Sequence, residues 1–378
     1  MQEQFRPNMS RAEQKRARMI EDGRLDNLPE SLQLHILSFL DKKEAVQMSL
    51  LSKQWFSLWT SMPVLHLNSF DIPRVVDFDK FVNRVLSHRD QSAKLNTLTF
   101  THGGSSSSPK ILKEVVDYAF SHGVNHLELS IQCFDSRPLC LHTTSFNLLK
   151  TLKLKSQSYF SCTFLLGSFK NLTVLHLKGA IIPNNNCEPF LLGFPMLEKL
   201  VLKDCCLGKI LCVEALKLSD LTISFHGYFD RCKLTTPNLR FFKYIGSEFP
   251  RLETHDGLPL LDTVVVDFQG LCELSEEKRM IDDLISLFRG VGNARSVTLS
   301  SRIAHLLCLF EGNLEELDSP FCDLKCLKMD VRYMEQDEKL FDTHSGRRTQ
   351  LIEMKTAVKA YLLKRSPEAK FSIIHSTN

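Results

Sequence analysis

The chain has 378 residues, too many for one ordinary core, so we expect more than one folding unit. Of these residues 43% are hydrophobic and 24% are charged, a composition typical of a folded protein. Its 47 basic and 44 acidic residues leave a formal net charge of +3, which disfavours nucleic acid or an anionic membrane as the partner. No apolar run approaches the roughly 18 residues of a membrane span, and the first residues lack the apolar segment of a signal peptide. We therefore expect a protein of the nucleus, the cytoplasm or both, with its 12 cysteines reduced.

The N-terminal segment, residues 1–23, is polar and basic and has no apolar face. Terminal segments of this kind rarely become ordered, so we predict a disordered tail.

Residues 24–65 have the apolar spacing of short helices. Pro29 suits the first turn of a helix, and a second apolar face of that helix carries Leu34 and Leu37. The main apolar stripe recurs at helical spacing. It comprises Leu28, Leu32, Ile36, Phe39 and Leu40.

A short helix is also predicted after Ser52, which is a candidate N-cap. This helix places Trp55 and Trp59 one turn apart, with Leu51 and Leu58 nearby. A unit of this size cannot bury so much apolar surface by itself. The surplus face meets either the rest of the chain or another protein, and the residues alone leave both possibilities open.

Residues 66–94 are predicted to form a helical linker, and a repeat of the form LxxLxL follows over residues 95–335. Ten copies recur about every 25 residues, a period typical of leucine-rich repeats. They occupy residues 95–100, 124–129, 149–154, 172–177, 197–202, 218–223, 239–244, 261–266, 294–299 and 324–329. Because residues on a strand alternate between faces, the leucines of each L-x-L should point inward. We predict an α/β fold, a unit of three short helices followed by a horseshoe-shaped leucine-rich-repeat solenoid with a stack of parallel strands.

The C-terminal residues 336–378 are predicted to cap the solenoid with a helix near 348–364 and a strand near 371–374. A further amphipathic helix is expected between Ser275 and Gly290. No nucleotide-binding, metalloprotease or hydrolase motif occurs, so we expect no enzyme activity, no cofactor and no metal. Cys205 follows a repeat at the position where such repeats place a residue that bonds turn backbone.

The residues 26–65 resemble the F-box of plant F-box/leucine-rich-repeat proteins. The resemblance rests on Leu28-Pro29, Ile36-Leu37, Leu40, Leu50-Leu51-Ser52-Lys53, Trp55 and Leu58-Trp59. Residues 190–205 are similar to the repeat signature of the same proteins, and residues 366–374 resemble the end of the FBD domain found in many relatives. Ser31 and Asp41 depart from the F-box pattern, where an acidic residue and a proline are usual.

The resemblance implies an adaptor without catalytic chemistry. In this family the F-box binds a Skp-type linker protein, and through it a cullin scaffold, while the repeats bind the protein substrate of a ubiquitin ligase. Carried onto this sequence, the linker-binding residues are Leu28, Pro29, Leu32, Ile36, Leu40, Leu51, Trp55, Leu58 and Trp59.

The resemblance assigns substrate binding to the outward strand positions, among them Lys153, His176, Lys199, Thr222 and Lys243. Since lysines outnumber carboxylates at these positions, a mildly acidic or phosphorylated target is one hypothesis. A solvated face without preference is the other. Two further functions stay open: a leucine-rich-repeat scaffold unrelated to a ligase, and a small-molecule receptor on the same solenoid. The identity of the substrate does not follow from the residues.

Overall fold

The structure is a computed structural model. It describes residues 28–39, 53–72, 75–103, 109–132, 147–161, 169–182, 191, 193–227, 229–254, 257–270, 277–309, 314, 317–331 and 356–375. The predicted N-terminal tail, Leu40, Leu51 and residues 104–108 lie outside these ranges, as does most of the segment between the last repeat and the C-terminal helix.

Two helices form the described part of the N-terminal unit: α1 (Glu30–Phe39) and α2 (Lys53–Thr60). They pack against each other. Helix α1 starts as Pro29 predicted, because the Pro29 carbonyl accepts hydrogen bonds from the amides of Leu32 and Gln33 at 2.9 and 3.1 Å.

Twelve parallel strands form one sheet in the order β1-β2-β3-β4-β5-β6-β8-β10-β12-β13-β14-β15. The strands up to the middle of the sheet are β1 (Val64–Asn68), β2 (Thr97–His102), β3 (His126–Ile131), β4 (Thr151–Ser161), β5 (Val174–Ile181) and β6 (Lys199–Lys203). The others are β8 (Asp220–Phe225), β10 (Phe241–Gly246), β12 (Thr263–Phe268), β13 (Ser296–Ser300), β14 (Cys326–Asp330) and β15 (Lys370–Ile374). The predicted solenoid of stacked parallel strands is thereby confirmed.

The inward leucines stack in register from strand to strand. Leu98 pairs with Leu127, Leu127 with Leu152 and Leu152 with Leu175, and all four are almost fully buried. Each repeat therefore buries its apolar side only against its neighbours, which is why the array folds as a unit.

Helices cover the inner side of the sheet near both ends. They are α3 (Val75–His88), α4 (Pro109–Ser121), α5 (Glu277–Gly290), α6 (Ser301–Leu309) and α7 (Thr356–Leu363). The predicted helix before Gly290 and the predicted C-terminal helix and strand are confirmed by α5, α7 and β15.

A second sheet of three parallel strands was not predicted. Its strands are β7 (Ile210–Glu214), β9 (Arg231–Thr235) and β11 (Arg251–Thr254), in the order β11-β9-β7. The middle repeats are only about 21 residues long, too short for a helix with its two connections, so a short strand returns the chain instead.

The prediction of a purely helical linker over residues 66–94 was wrong. Strand β1 runs to Asn68, a 3₁₀ turn covers Ser69–Asp71, and only then does α3 begin. Strand β1 pairs with β2 in the main sheet. An additional copy of the LxxLxL repeat is formed by Met62, Leu65 and Leu67. The pattern search missed it because Met stands where the first leucine is expected.

Candidate functional site

Helix α1 presents an apolar stripe that the rest of the described chain leaves uncovered. Pro29 is exposed, Leu32 is 48% exposed and Ile36 is half-buried. Their spacing of three and four residues puts them on one side of the helix. We call Pro29, Leu32 and Ile36 the docking face.

The other predicted linker-binding residues are placed differently. Trp55 and Leu58 are buried, at 1% and 4% exposure, so they belong to the core of the helical unit. Trp59 is half-buried and packs against the core of the solenoid. Leu28 is half-buried just before α1. The structure thus brings three of the predicted residues together in the docking face and places two others, Trp55 and Leu58, in the core of the helical unit.

A buried arginine joins the helical unit to the solenoid. Arg89 lies just after α3, and its Nη2 donates to the carbonyl of Met62 at 2.6 Å. Its Nε donates to the hydroxyl of Tyr118 on α4 at 3.2 Å. The amide of Asp90 also donates to the carbonyl of Thr60 at the end of α2, at 3.1 Å. Sequence reasoning missed Arg89, because nothing in the pattern marks it as buried.

The outward positions of the main sheet form rows that run across its strands, and we call this side the open face. The middle row, in register, is His66, Thr99, Glu128, Lys153, His176, Val201, Thr222, Lys243, Val265, Thr298, Lys328 and Ser372. The upper row, two residues further along each strand, is Asn68, Thr101, Ser130, Lys155, Lys178, Lys203, Ser224, Ile245 and Asp267.

All five predicted substrate-face residues lie on the open face. Lys153, His176, Thr222 and Lys243 share the middle row, and Lys199 starts β6 in the row below. Each is exposed or half-buried. They do not form one cluster, because Thr222 and Lys243 sit on strands further along the sheet.

The tightest basic cluster includes three residues that sequence reasoning missed. Lys155, Lys178 and Lys203 are direct neighbours in the upper row. With Lys153 of the middle row, they form what we call the lysine block. The signal was present in the sequence: three consecutive repeats read L-x-L-K, ending at residues 155, 178 and 203.

Two carboxylates accompany the lysine block. Glu128 forms ion pairs with Lys155 at 2.6 Å and with Lys153 at 3.4 Å. Burial works against ionisation of Glu128, but the hydrogen bond and charge of Lys155, together with Lys153, outweigh it, so its pKa lies below the ordinary value. Asp204 lies 3.8 Å from the ammonium of Lys178. Lys203 makes no ion pair within the described part of the chain.

His176 lies inside this cluster on β5. Its Nε2 is buried, and no described residue hydrogen-bonds to it. Burial first, and then the charges of Lys155, Lys203 and Lys153, lower the pKa of His176 from 6.5 to about 4. The imidazole is therefore neutral at physiological pH and adds no charge to the block.

Gly179 shapes the upper edge of the lysine block. It follows Lys178 with a φ of +76°, a conformation that glycine adopts readily. A side-chain Cβ there would lie only 2.7 Å from the carbonyl oxygen of Ser156. The pairing of β4 with β5 shifts register in the same region, between Lys155 and Phe160.

A separate cleft of about 730 Å³ lies where strands β8 to β14 begin. Its lining combines charged and apolar groups, including Arg240, Phe241, Leu260, Asp262, Arg295 and Asp323. Its two arginines face three aspartates, and Arg295 lies 4.0 Å from Asp323, so the cleft carries no excess of positive charge. It therefore lacks the net charge of the lysine block.

The described ranges of the chain offer little support for a metal site, a membrane span or a cysteine nucleophile. They contain no group of three or more His, Cys, Asp or Glu side chains that could hold a metal ion. Among the same residues, no helix is both long and apolar enough to cross a membrane. Cys205 is buried and donates to the carbonyl of Lys203 at 3.3 Å, the structural role that its position predicts. Burial raises the pKa of its thiol to about 11, which disfavours a nucleophilic role.

A helical unit with a partly exposed apolar face, followed by a parallel-strand solenoid, defines a leucine-rich-repeat protein with an N-terminal helical module. Comparison with known proteins identifies both parts. The F-box domain family matches residues 25–67, and the At1g61320/AtMIF1, LRR domain family matches residues 85–345. The chain belongs to the F-box/leucine-rich-repeat proteins, and its repeat region belongs to the At1g61320/AtMIF1 type.

Individual relatives from Arabidopsis thaliana agree with this assignment. The chain is 28% identical over 354 residues to the F-box/FBD/LRR-repeat protein At4g03220, covering 82% of this chain and 68% of the relative. It is 25% identical over 358 residues to the FBD-associated F-box protein At5g44490, covering 84% and 70%. It is 28% identical over 318 residues to the F-box/LRR-repeat protein At1g55660, covering 76% and 80%.

Proposed function

We propose that this chain is the substrate-recognition adaptor of an SCF-type cullin–RING ubiquitin ligase. Its F-box docks on a Skp-type linker, which connects it to the cullin scaffold, and its repeats hold a target protein. The observation that carries the proposal is the docking face: the exposed Pro29 and Leu32 and the half-buried Ile36 line one side of α1 and its start, inside the segment that matches the F-box. Uncovered apolar stripes on helices are typical of partner surfaces.

The adaptor performs no chemistry of its own in this proposal. It raises the effective concentration of the target near a charged ubiquitin-conjugating enzyme. The open face supplies the target surface, since most side chains of its rows are exposed or half-buried. We further propose that the adaptor acts in the nucleus, the cytoplasm or both, and that α7 and β15 belong to an FBD-like cap, as the names of several relatives suggest.

The test is capture of a purified Skp-type linker by the full chain. We expect capture by the wild type and its loss in a double variant, Leu28→Ala with Pro29→Ala. Proximity labelling in plant cells with the same pair separates the two halves of the proposal. Lost linker labelling with retained labelling of other proteins supports it. Failure of the wild type to capture the linker would instead favour a leucine-rich-repeat scaffold unrelated to a ligase.

A further inference from the structure

The lysine block is a sharply bounded feature of the upper row. Lys155, Lys178 and Lys203 occupy three adjacent strands, and Ser130 and Ser224 flank them on either side. A merely solvated face would scatter its charges along the row. Here the three lysines are consecutive, and the neighbouring strands carry hydroxyl groups.

The block is compact enough for one ligand group to reach several of its members. Adjacent strands lie about 4.8 Å apart, so the three upper-row lysines span about 10 Å. Lys153 adds a fourth ammonium from one row below, with its Cα about 7 Å from that of Lys155 along β4. Lysine side chains are long and flexible, so their ammonium groups can converge on a single anion.

The charges inside the block do not cancel. Four ammonium groups face two carboxylates, Glu128 and Asp204, and Glu128 is shared between Lys153 and Lys155. Lys203 makes no ion pair with any residue that the structure describes. A net positive site with unused hydrogen-bonding capacity is therefore built on β4, β5 and β6.

We propose that the lysine block binds a phosphorylated serine or threonine of the target protein. This inference rests on the proposed function, which makes the ligand a protein. A phosphoryl group carries about −1.5 to −2 charges and three acceptor oxygens, which suits several lysines better than one carboxylate does. The hydroxyl-bearing side chains Ser130, Thr222 and Ser224 on the flanking strands β3 and β8 can hydrogen-bond the backbone on either side of the phosphate.

The test probes the full chain with an array of serine-centred peptides, each present in a phosphorylated and an unphosphorylated form. We expect the wild type to retain a subset of the phosphorylated peptides and not their unphosphorylated twins. Affinities for the best of these follow from fluorescence anisotropy. The triple variant Lys155→Gln/Lys178→Gln/Lys203→Gln should bind them at least about tenfold more weakly, since each hydrogen bond to a charged group contributes about a factor of ten.

A matched variant separates the block from bulk charge. Lys113→Gln/Lys278→Gln/Lys325→Gln removes the same charge at exposed positions outside the open face and should keep the wild-type affinity within about twofold. The single variant Lys178→Gln, whose side chain is 43% exposed, repeats the test with less risk to folding. Equal weakening by the two triple variants would overturn the proposal.

Two further arms distinguish the sources of phosphate. Inositol hexakisphosphate and a single-stranded RNA oligonucleotide are titrated into the same protein. Binding of either one without selection of phosphopeptides overturns the proposal, as does equal binding of phosphorylated and unphosphorylated twins. Linker capture is measured on the same samples. Captured linker without phosphopeptide selection refutes this inference alone, whereas phosphopeptide selection without linker capture refutes the proposed function alone.

Discussion

Leu32 offers the sharpest test of the docking face, because its side chain is half exposed in the free chain. It is 48% exposed, so a linker that covers it would bury roughly the other half of a leucine. Full burial of a leucine side chain contributes about 1.5–3 kcal/mol, so the missing half corresponds to about 1 kcal/mol. Leu32→Ala should therefore weaken linker binding about fivefold.

A charged substitution at the same position amplifies the effect. Leu32→Asp would place an unpaired carboxylate in the covered interface, which costs several kcal/mol, and should weaken binding by more than about a hundredfold. In the free chain the carboxylate stays in water, so the free energy of unfolding should change by less than about 1 kcal/mol.

Trp55 should behave in the opposite way. It is 1% exposed, and replacing a buried tryptophan by alanine costs about 3–5 kcal/mol of stability. Trp55→Ala should therefore lower the melting temperature clearly, and any loss of linker binding should follow from that destabilisation. The contrast tests the division of the predicted linker residues into an exposed face and an internal support.

The assay combines isothermal titration calorimetry with the linker and thermal melting of each free variant. Leu216→Asp is the matched control, because Leu216 is a 63% exposed leucine on the solenoid and should leave linker affinity unchanged. The reasoning is refuted if Leu32→Asp binds the linker as the wild type does. It is equally refuted if that variant melts as early as Trp55→Ala, since Leu32 would then be packed inside the chain.

Three other predictions concern the joint and the open face. Arg89→Met should lower the free energy of unfolding by about 3 kcal/mol in denaturant titration, since it removes two hydrogen bonds and leaves the Met62 carbonyl without its donor. The free energy of unfolding should fall as the pH drops from about 6.5 to about 4, because the unfolded chain protonates His176 at a higher pH than the folded chain does. In the variant His176→Gln, the free energy of unfolding should depend less on pH over this range. Gly179→Ala should lower the free energy of unfolding by about 2 kcal/mol or more, because the φ of residue 179 is positive and the added Cβ would clash with the carbonyl oxygen of Ser156. An unchanged melting temperature would contradict this prediction.

The LxxLxL pattern alone predicted most of the fold. Leucines at fixed spacing specify inward positions, and strands that share this spacing align in register, as Leu127 and Leu152 do. The pattern could not reveal what fills the space between strands. A repeat of about 21 residues returns through a strand such as β9 and a longer one through a helix such as α4, a distinction that the average spacing of about 25 residues conceals.

The candidate site was predictable to a different extent in its two parts. The F-box motif marked the right segment, but helical spacing alone did not separate the exposed Leu32 from the buried Trp55, because both are apolar. On the open face, alternation identified outward residues correctly, yet the prediction considered only the residue between the two leucines of each L-x-L and the residue before them. The lysine that follows the second leucine also points outward, and three such lysines meet only because β4, β5 and β6 are adjacent.

The joint between the two parts bears on how such an adaptor would work. Strand β1 begins four residues after α2 ends and is hydrogen-bonded into the main sheet. Arg89 ties this junction to α4, and Trp59 packs into the solenoid core. A target bound on the open face would then be held at a defined position relative to α2, since only residues 61–63 separate this helix from β1, and α2 packs against α1 with its docking face. A short, stiff connection confines a bound target to a small volume, which favours a high effective concentration near the ligase.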